Sequence, residues 1–251
     1  MPQYPLKTIC YRICPGDTLF LISQMFDTTI DEIMAVNPGL EPENLTVGQV
    51  ICLNPGLKYY SSERYDANEI SKSQADLSDY IRGLWEQHVT WTRLTILSLV
   101  FDLPDVELVT NRLLRNPKDF EALLRLFYGD EKASTFSDLF TNHLVIAAEL
   151  VKAAKAGDNN AAADAEKRWY ANADQIADFL AGINPYWSRE DWKAMLYKHL
   201  AMTKDEAVNI LTGKYLESIN GYDKIEEQAL VMADMMTNGI INQFPDIFKL
   251  K

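Results

Sequence analysis

This chain has no basic excess. Its 251 residues carry 24 Lys and Arg against 36 Asp and Glu, a formal net charge of -12. That balance argues against nucleic acid or an anionic membrane surface as the main partner, since both require a positive footprint. Long apolar runs are also missing, and none approaches the ~18 residues of a membrane span. The opening stretch MPQYPLKTICYRICPGD lacks the apolar block of a secretory signal peptide, so no classical signal is expected and an envelope location would need another route. There is no glycine-rich phosphate loop, no strand–turn–helix nucleotide site, and no Ser–His–Asp grouping within one segment. Histidine and cysteine are scarce, with three of each.

What remains is ample apolar material. Residues of apolar type make up 47% of the chain, enough for a sizeable core, and the length suits two domains. The pattern changes near residue 55. Residues 1–55 form one module, 56–69 a polar, aromatic linker that could dock a tyrosine, and 70–251 a different kind of protein.

In the first module, TICYRIC alternates Ile9, Tyr11 and Ile13 on one face, a strand signal. Pro15-Gly16-Asp17 makes a turn, and Asp17 or Thr18 is placed to cap a helix carrying Leu19, Ile22 and Phe26. Thr28 or Thr29 caps a second short helix with Ile30, Ile33 and Met34, stopped by Asn37-Pro38-Gly39. A loop follows, and QVICLNP closes as a strand.

This βααβ order resembles a LysM module. The residues carrying the likeness are Tyr11, Ile13, Pro15 to Leu19, Ile22, Phe26, Thr28 to Ile30, Ile33, Asn37-Pro38, Leu45, Val47-Gly48-Gln49 and Leu53. The resemblance implies binding of an N-acetylglucosamine glycan, peptidoglycan or chitin, through two loops. On this chain those loops offer Gly16, Asp17, Thr18 and Leu19, opposed by Asn44, Leu45, Thr46 and Val47. Backbone groups there can bond the acetamide, and small apolar side chains can meet its methyl. Asp17 serves equally as a helix cap. A LysM that no longer binds and acts only in assembly is the alternative.

All three cysteines lie in this module. Alternation puts Cys10 and Cys14 on the face opposite Ile9, Tyr11 and Ile13, and Cys52 also faces outward if Ile51 and Leu53 point in. A disulfide of Cys52 with Cys10 or Cys14 is therefore sterically open, and would suit an oxidising envelope site. Three reduced thiols in a cytosolic protein are the alternative. The C-x3-C pattern with no nearby histidine has too few ligands for zinc.

Residues 70–251 predict an all-α antiparallel bundle of about six helices. The periodicities place them at about 70–102, 105–128 (with a break at Asn116-Pro117), 133–156, 159–182, from Ser188 onward, and 222–243. Short connections make neighbours antiparallel. His88, His143 and His199 fall on the apolar stripes of the first, third and fifth helices, separated by 55 and 56 residues. That spacing points to a repeated helical hairpin. Counted from the helix starts, His88 lies about 12 Å deeper than the other two at 1.5 Å per residue.

Two uses of the histidines stand open. The first is a polar core in which each neutral imidazole bonds a carbonyl, an Asn, or a Tyr or Trp polar atom, with Asn111, Arg112, Asn116, Tyr170 and Asn172 as the candidates. The second is a divalent metal or small-ligand site of His88, His143 and His199, with Glu166 on its own stripe. No cofactor is required by the first. A ferritin-like di-iron site is disfavoured, because Glu-x-x-His is absent. Arg112 and Arg115 are expected in ion pairs, and Met232, Met235 and Met236 in the core.

The stretches LWEQHVTWTR, LPDVELVTNRLLRN, FYGDEKAS, HLVIAAELVKAAKAGD and AEKRWYANADQIADFL are similar to an uncharacterised helical family of spore-forming Firmicutes. Proteins of that kind sometimes carry the name acetylglutamate kinase, which would need a sheet and nucleotide loops that are not seen here. The expected function is thus a non-enzymatic glycan-binding protein of the cell wall, envelope or spore coat. Its helical unit would assemble with itself or with other coat proteins, raising avidity. The alternatives are an enzymatic or metal- or small-ligand-binding bundle delivered to the wall by the LysM module, and a cytoplasmic location.

Overall fold

A computed structural model describes residues 8–13, 17–26, 28–42, 44–55 and 71–248. Two compact units are present, Met1–Glu69 and Ile70–Lys251. The linker stretch 56–69 and its tyrosines lie outside the described residues.

The first unit runs β1 (Ile9–Arg12), α1 (Leu19–Met25), α2 (Ile30–Val36) and β2 (Val50–Leu53). The strands pair antiparallel, with Ile9 opposite Leu53 and Tyr11 opposite Ile51. Their inward residues meet Ile13, Leu19, Ile22, Phe26, Ile33 and Leu40 in a small core. Thr29 and Glu32 cap α2 reciprocally: the Thr29 side chain accepts from the Glu32 amide, and the Glu32 carboxylate accepts from the Thr29 amide. Those bonds, led by that from Thr28, hold the Glu32 carboxyl below its ordinary range. Asn37 links α2 to the sheet. Its amide donates to the Ile33 and Cys52 carbonyls, and its oxygen accepts from the Cys52 N–H at 2.7 Å.

The second unit is built from α3 (Lys72–Val100), α4 (Val106–Leu113), α5 (Asn116–Ala156), α6 (Asn159–Ile183), α7 (Arg189–Leu211) and α8 (Tyr215–Gln243), then a short 3-10 turn at Pro245–Ile247. Among the described residues it contains no strand. The helix α3 packs on both α5 and α8, and α5–α6, α6–α7 and α7–α8 pack in sequence, so the helices close a ring. Inside lie Trp85, Phe120, Phe136, Phe140, Trp187 and Trp192, with Met232 and Met236 fully buried. Met235 packs partly buried against this core.

Two boundaries differ from the sequence expectation. The second and third helices are separate, as expected, but a single residue joins them: the stretch α5 is two helical segments meeting at Gly129 (φ 78°, ψ 174°). Phe120 lies on one side of Gly129, and Phe136 and Phe140 on the other. Their ring centroids are 5.8 and 5.4 Å from that of Phe120, so the chain folds back on itself there. That backbone region is open essentially to glycine alone. The last helix begins at Tyr215 rather than 222 and passes through Gly221. Gly213, at φ 73°, already ends α7, so the chain needs no second break. The expected break before Pro117 is present: α4 stops at Leu113, and Pro117 stands in the first turn of α5.

Of the two arginines expected in ion pairs, Arg115 forms one and Arg112 does not. Arg115 bridges Asp119 at 3.0 Å. Arg112 donates to Gln87 and lies over the Trp91 ring. The buried Glu206 is matched by Arg93, which also donates to Ser218 Oγ.

Candidate functional site

The loop after β1 and the loop before β2 present different groups. Gly16 lies outside the described residues. Asp17 is half-buried and accepts a hydrogen bond from the Tyr11 hydroxyl at 2.8 Å. Thr18 is exposed, and its carbonyl accepts from the Ile22 N–H. The Leu19 side chain is only 3% exposed and belongs to the core, so this residue offers the loop its backbone alone.

In the opposite loop, Asn44 and Thr46 are exposed, Leu45 leans on the core, and Val47 is 60% exposed. A turn holds this loop: Gln49 N–H donates to the Thr46 carbonyl, and Gly48 takes φ 88°. The Gln49 side chain accepts from the Thr46 N–H, and Gly48 N–H donates to the Ile13 carbonyl at 2.8 Å. The loop is thus anchored to the end of β1. Its tip offers an exposed methyl-bearing surface at Val47 beside the polar Asn44 and Thr46. That combination can meet an acetamide methyl and bond the neighbouring hydroxyls, and it needs no charge.

Cys10 and Cys52 face each other across the sheet. Both backbone groups of Cys52 bond Asn37 rather than β1. The pair is therefore a non-hydrogen-bonded one, where Cα atoms approach most closely, at about 4.5 Å. Both thiols are free. Cys14, the other suggested partner of Cys52, lies outside the described residues.

The three histidines converge in the second unit, and each is almost fully buried. The expected difference in depth does not exist. His88 and His199 have ring centroids 5.5 Å apart, because α3 overhangs the other helices at its start. His88 stacks on Phe140 at 5.0 Å, and Phe140 stacks on His143 at 6.1 Å. The Phe140 ring therefore stands between His88 and His143. Glu166 is engaged elsewhere, bound to Lys204 at 2.6 Å. Among the described residues, no group of three or more His, Cys, Asp or Glu side chains is placed to hold a metal ion.

Instead, each histidine belongs to a repeated hydrogen-bond device. His143 Nδ1 meets Asn172 Oδ1 at 2.9 Å, and Asn172 Nδ2 donates to the Leu139 carbonyl. His199 Nδ1 meets Gln228 Oε1 at 2.9 Å, and Gln228 Nε2 donates to the Met195 carbonyl. Asn116 Nδ2 donates to the Leu84 carbonyl beneath His88. Each carbonyl lies four residues before its histidine, and each amide 28 or 29 residues after it. In the first copy the last bond is not closed: His88 Nδ1 and Asn116 Oδ1 both lack a partner.

The tautomer of His143 follows from its neighbours. Trp169 Nε1–H donates to His143 Nε2 at 3.2 Å, so the ring proton is on Nδ1 and points at Asn172. A second proton would set two donors face to face. Burial lowers the His143 pKa to about 3 and that of His199 to about 4, with the amide partners pulling weakly upward. His88 is also lowered well below its ordinary value, by burial first and then by the other two histidines. All three are neutral at pH 7. Of the five partners the sequence offered, Asn172 bonds a histidine, Asn116 lies beside one without closing the bond, and Asn111, Arg112 and Tyr170 are not bonded to one. Trp169 and Gln228 were not among them, although the recurring interval from histidine to amide points to Gln228.

The LysM domain family model matches residues 11–54. The secreted LysM effector ELP2 of Colletotrichum higginsianum (strain IMI 349063) is 46% identical over 41 residues, which is 16% of this chain and 23% of that protein. The chain thus spans less than a quarter of the length of that curated relative. No solved structure matches the chain. The N-terminal unit therefore carries a LysM domain, and the helical unit stands without a matched relative among these.

Proposed function

We propose that the chain is a non-enzymatic glycan-binding protein that recognises N-acetylglucosamine polymers of the peptidoglycan or chitin type through its N-terminal unit. The observation carrying this reading is the match over residues 11–54, together with an anchored loop whose tip exposes Val47 beside Asn44 and Thr46. The relative's description as secreted supports an extracellular or cell-wall setting, and the cell envelope or spore coat is our proposed location. The helical unit acts as a scaffold that assembles with a second copy or with other coat proteins. One LysM domain binds weakly by itself, and linking several raises avidity without new contacts. The burial of all three histidines, with His143 and His199 internally bonded, supports a structural role for this unit over a catalytic one.

Titration of the full chain with chitin oligomers, and pull-down on insoluble peptidoglycan, test the proposal. Saturable binding that falls at least tenfold in Val47→Asp, with unchanged thermal stability, is the expected result. Background-level binding to both glycans would sink it.

A further inference from the structure

We propose that the helical unit also holds a site for one uncharged, mainly apolar small molecule of about ten non-hydrogen atoms bearing a single hydroxyl or carbonyl group. The site is a cavity of about 240 Å³ between α3, α5, α6 and α7, with Leu113 at the end of α4 completing its wall. An apolar cavity of ~150 Å³ stays dry and takes benzene, so scaling by volume gives room for about ten heavy atoms here. Its wall is shared by two separate apolar clusters, the main core and a smaller one of Ile96, Val151, Ala207 and Ile210. Alanines from facing helices, including Ala147 and Ala207, leave the space between them.

The polar groups in this wall define the ligand. Thr95 and Thr203 line the cavity at 3% and 5% exposure, and neither hydroxyl has a partner. Thr92, also in the lining, has an unpartnered hydroxyl too. This is unusual within the protein itself. Thr110, Thr135 and Thr237 each donate to the carbonyl four residues earlier, at 2.6 to 2.9 Å. Helical threonines have that bond available at all times, yet the three on the cavity leave it unmade. Unpaired buried hydroxyls are costly. Three of them around one apolar space mark where an outside hydrogen-bonding group is received.

The rim excludes charge. Glu166 and Lys204 both line the cavity and neutralise one another, so an ionised head group would meet a carboxylate as well as an ammonium. Asn159 and Val208 are exposed lining residues and give a way in. Small-molecule sites combine an apolar lining with a few convergent polar groups in this manner.

Calorimetric titration of the full chain with 2-naphthol, naphthalene and 2-naphthoate tests this. One 2-naphthol should bind per chain, several-fold tighter than naphthalene and at least tenfold tighter than 2-naphthoate. Ala147→Leu/Ala207→Leu fills the space and should weaken both neutral probes at least tenfold. Thr95→Val/Thr203→Val keeps the shape and should bring 2-naphthol down to the affinity of naphthalene. Absence of saturable heat with 2-naphthol overturns the proposal, as does undiminished binding to a folded filled variant. Should the filled variant lose its helical circular dichroism, the valine pair decides: an unchanged ratio of 2-naphthol to naphthalene affinity overturns the site.

Discussion

His143 and Asn172 are joined by a single hydrogen bond of 2.9 Å between Nδ1 and Oδ1, and the same amide reaches back to the Leu139 carbonyl, one turn before the histidine. The amide thereby locks the register of α5 against α6. Asn172→Leu leaves the His143 Nδ1–H buried without an acceptor, at a cost of about 1–3 kcal/mol. Gln228→Leu should act on His199 in the same way and by a similar amount. Urea unfolding followed by circular dichroism checks both. A variant as stable as the parent would show that the device contributes nothing.

The histidines also set a pH dependence. Each has a folded pKa depressed below its ordinary value of 6.5, to about 4 for His199 and about 3 for His143. The unfolded chain therefore takes up protons that the folded chain refuses. Stability is full above pH 6.5 and falls as the pH drops from there toward the folded values. At pH 5, His143 and His199 each remove about 2 kcal/mol, and His88, lowered by burial, acts in the same direction. Burial raises the Glu206 carboxyl, which acts with the opposite sign on acidification, so a net loss of stability between pH 6.5 and 5 reports the histidines. Unfolding midpoints that stay level across that window would contradict this.

Two glycines are predicted to respond in opposite ways. At Gly129 nothing lies within 4 Å of an added Cβ, but the backbone (φ 78°, ψ 174°) strains any other residue. Gly129→Ala should cost about 1–3 kcal/mol. Gly83 is helical with equally open surroundings. Gly83→Ala should stabilise by about 0.5–1 kcal/mol. Thermal unfolding of the pair separates conformation from crowding.

Crowding governs a third glycine. A Cβ at Gly239 would sit 1.9 Å from Trp187 Nε1, whose N–H donates to the Met235 carbonyl. Gly239→Ala must displace a buried indole from α8, at a cost of about 1–3 kcal/mol or more. The tryptophan fluorescence of the folded variant should change with it.

Cys10 and Cys52 are poised for a cross-strand disulfide. Mild oxidation should join them, and tryptic mapping should recover the linked peptides. Closing a loop of this length adds about 3–4 kcal/mol to the N-terminal unit in the chain-entropy treatment. Recovery of both thiols unlinked after oxidation would rule the bridge out.

Much of the fold was written in local patterns. Alternation in TICYRIC, a cap at Thr28 or Thr29 and the Asn37-Pro38-Gly39 stop depend on neighbours within a few residues, and they were legible in the first unit. The 3.6-residue periods marked the helices, and the 55- and 56-residue intervals between histidines marked the repeat. These signals survive in sequence because backbone geometry is short-ranged.

What only the tertiary structure decided depended on distance through space. The Leu19 side chain was turned into the core of the first unit. The overhang of α3 brought His88 level with His199, and the Phe140 ring then parted His88 from His143. Gly129 turned a whole connection into one residue, because a single glycine can adopt a backbone angle that others avoid. The cavity beside Thr95 and Thr203 is shaped by several helices at once. No period in any one of them records the space left between them, since packing is set by side chains that meet from distant parts of the chain.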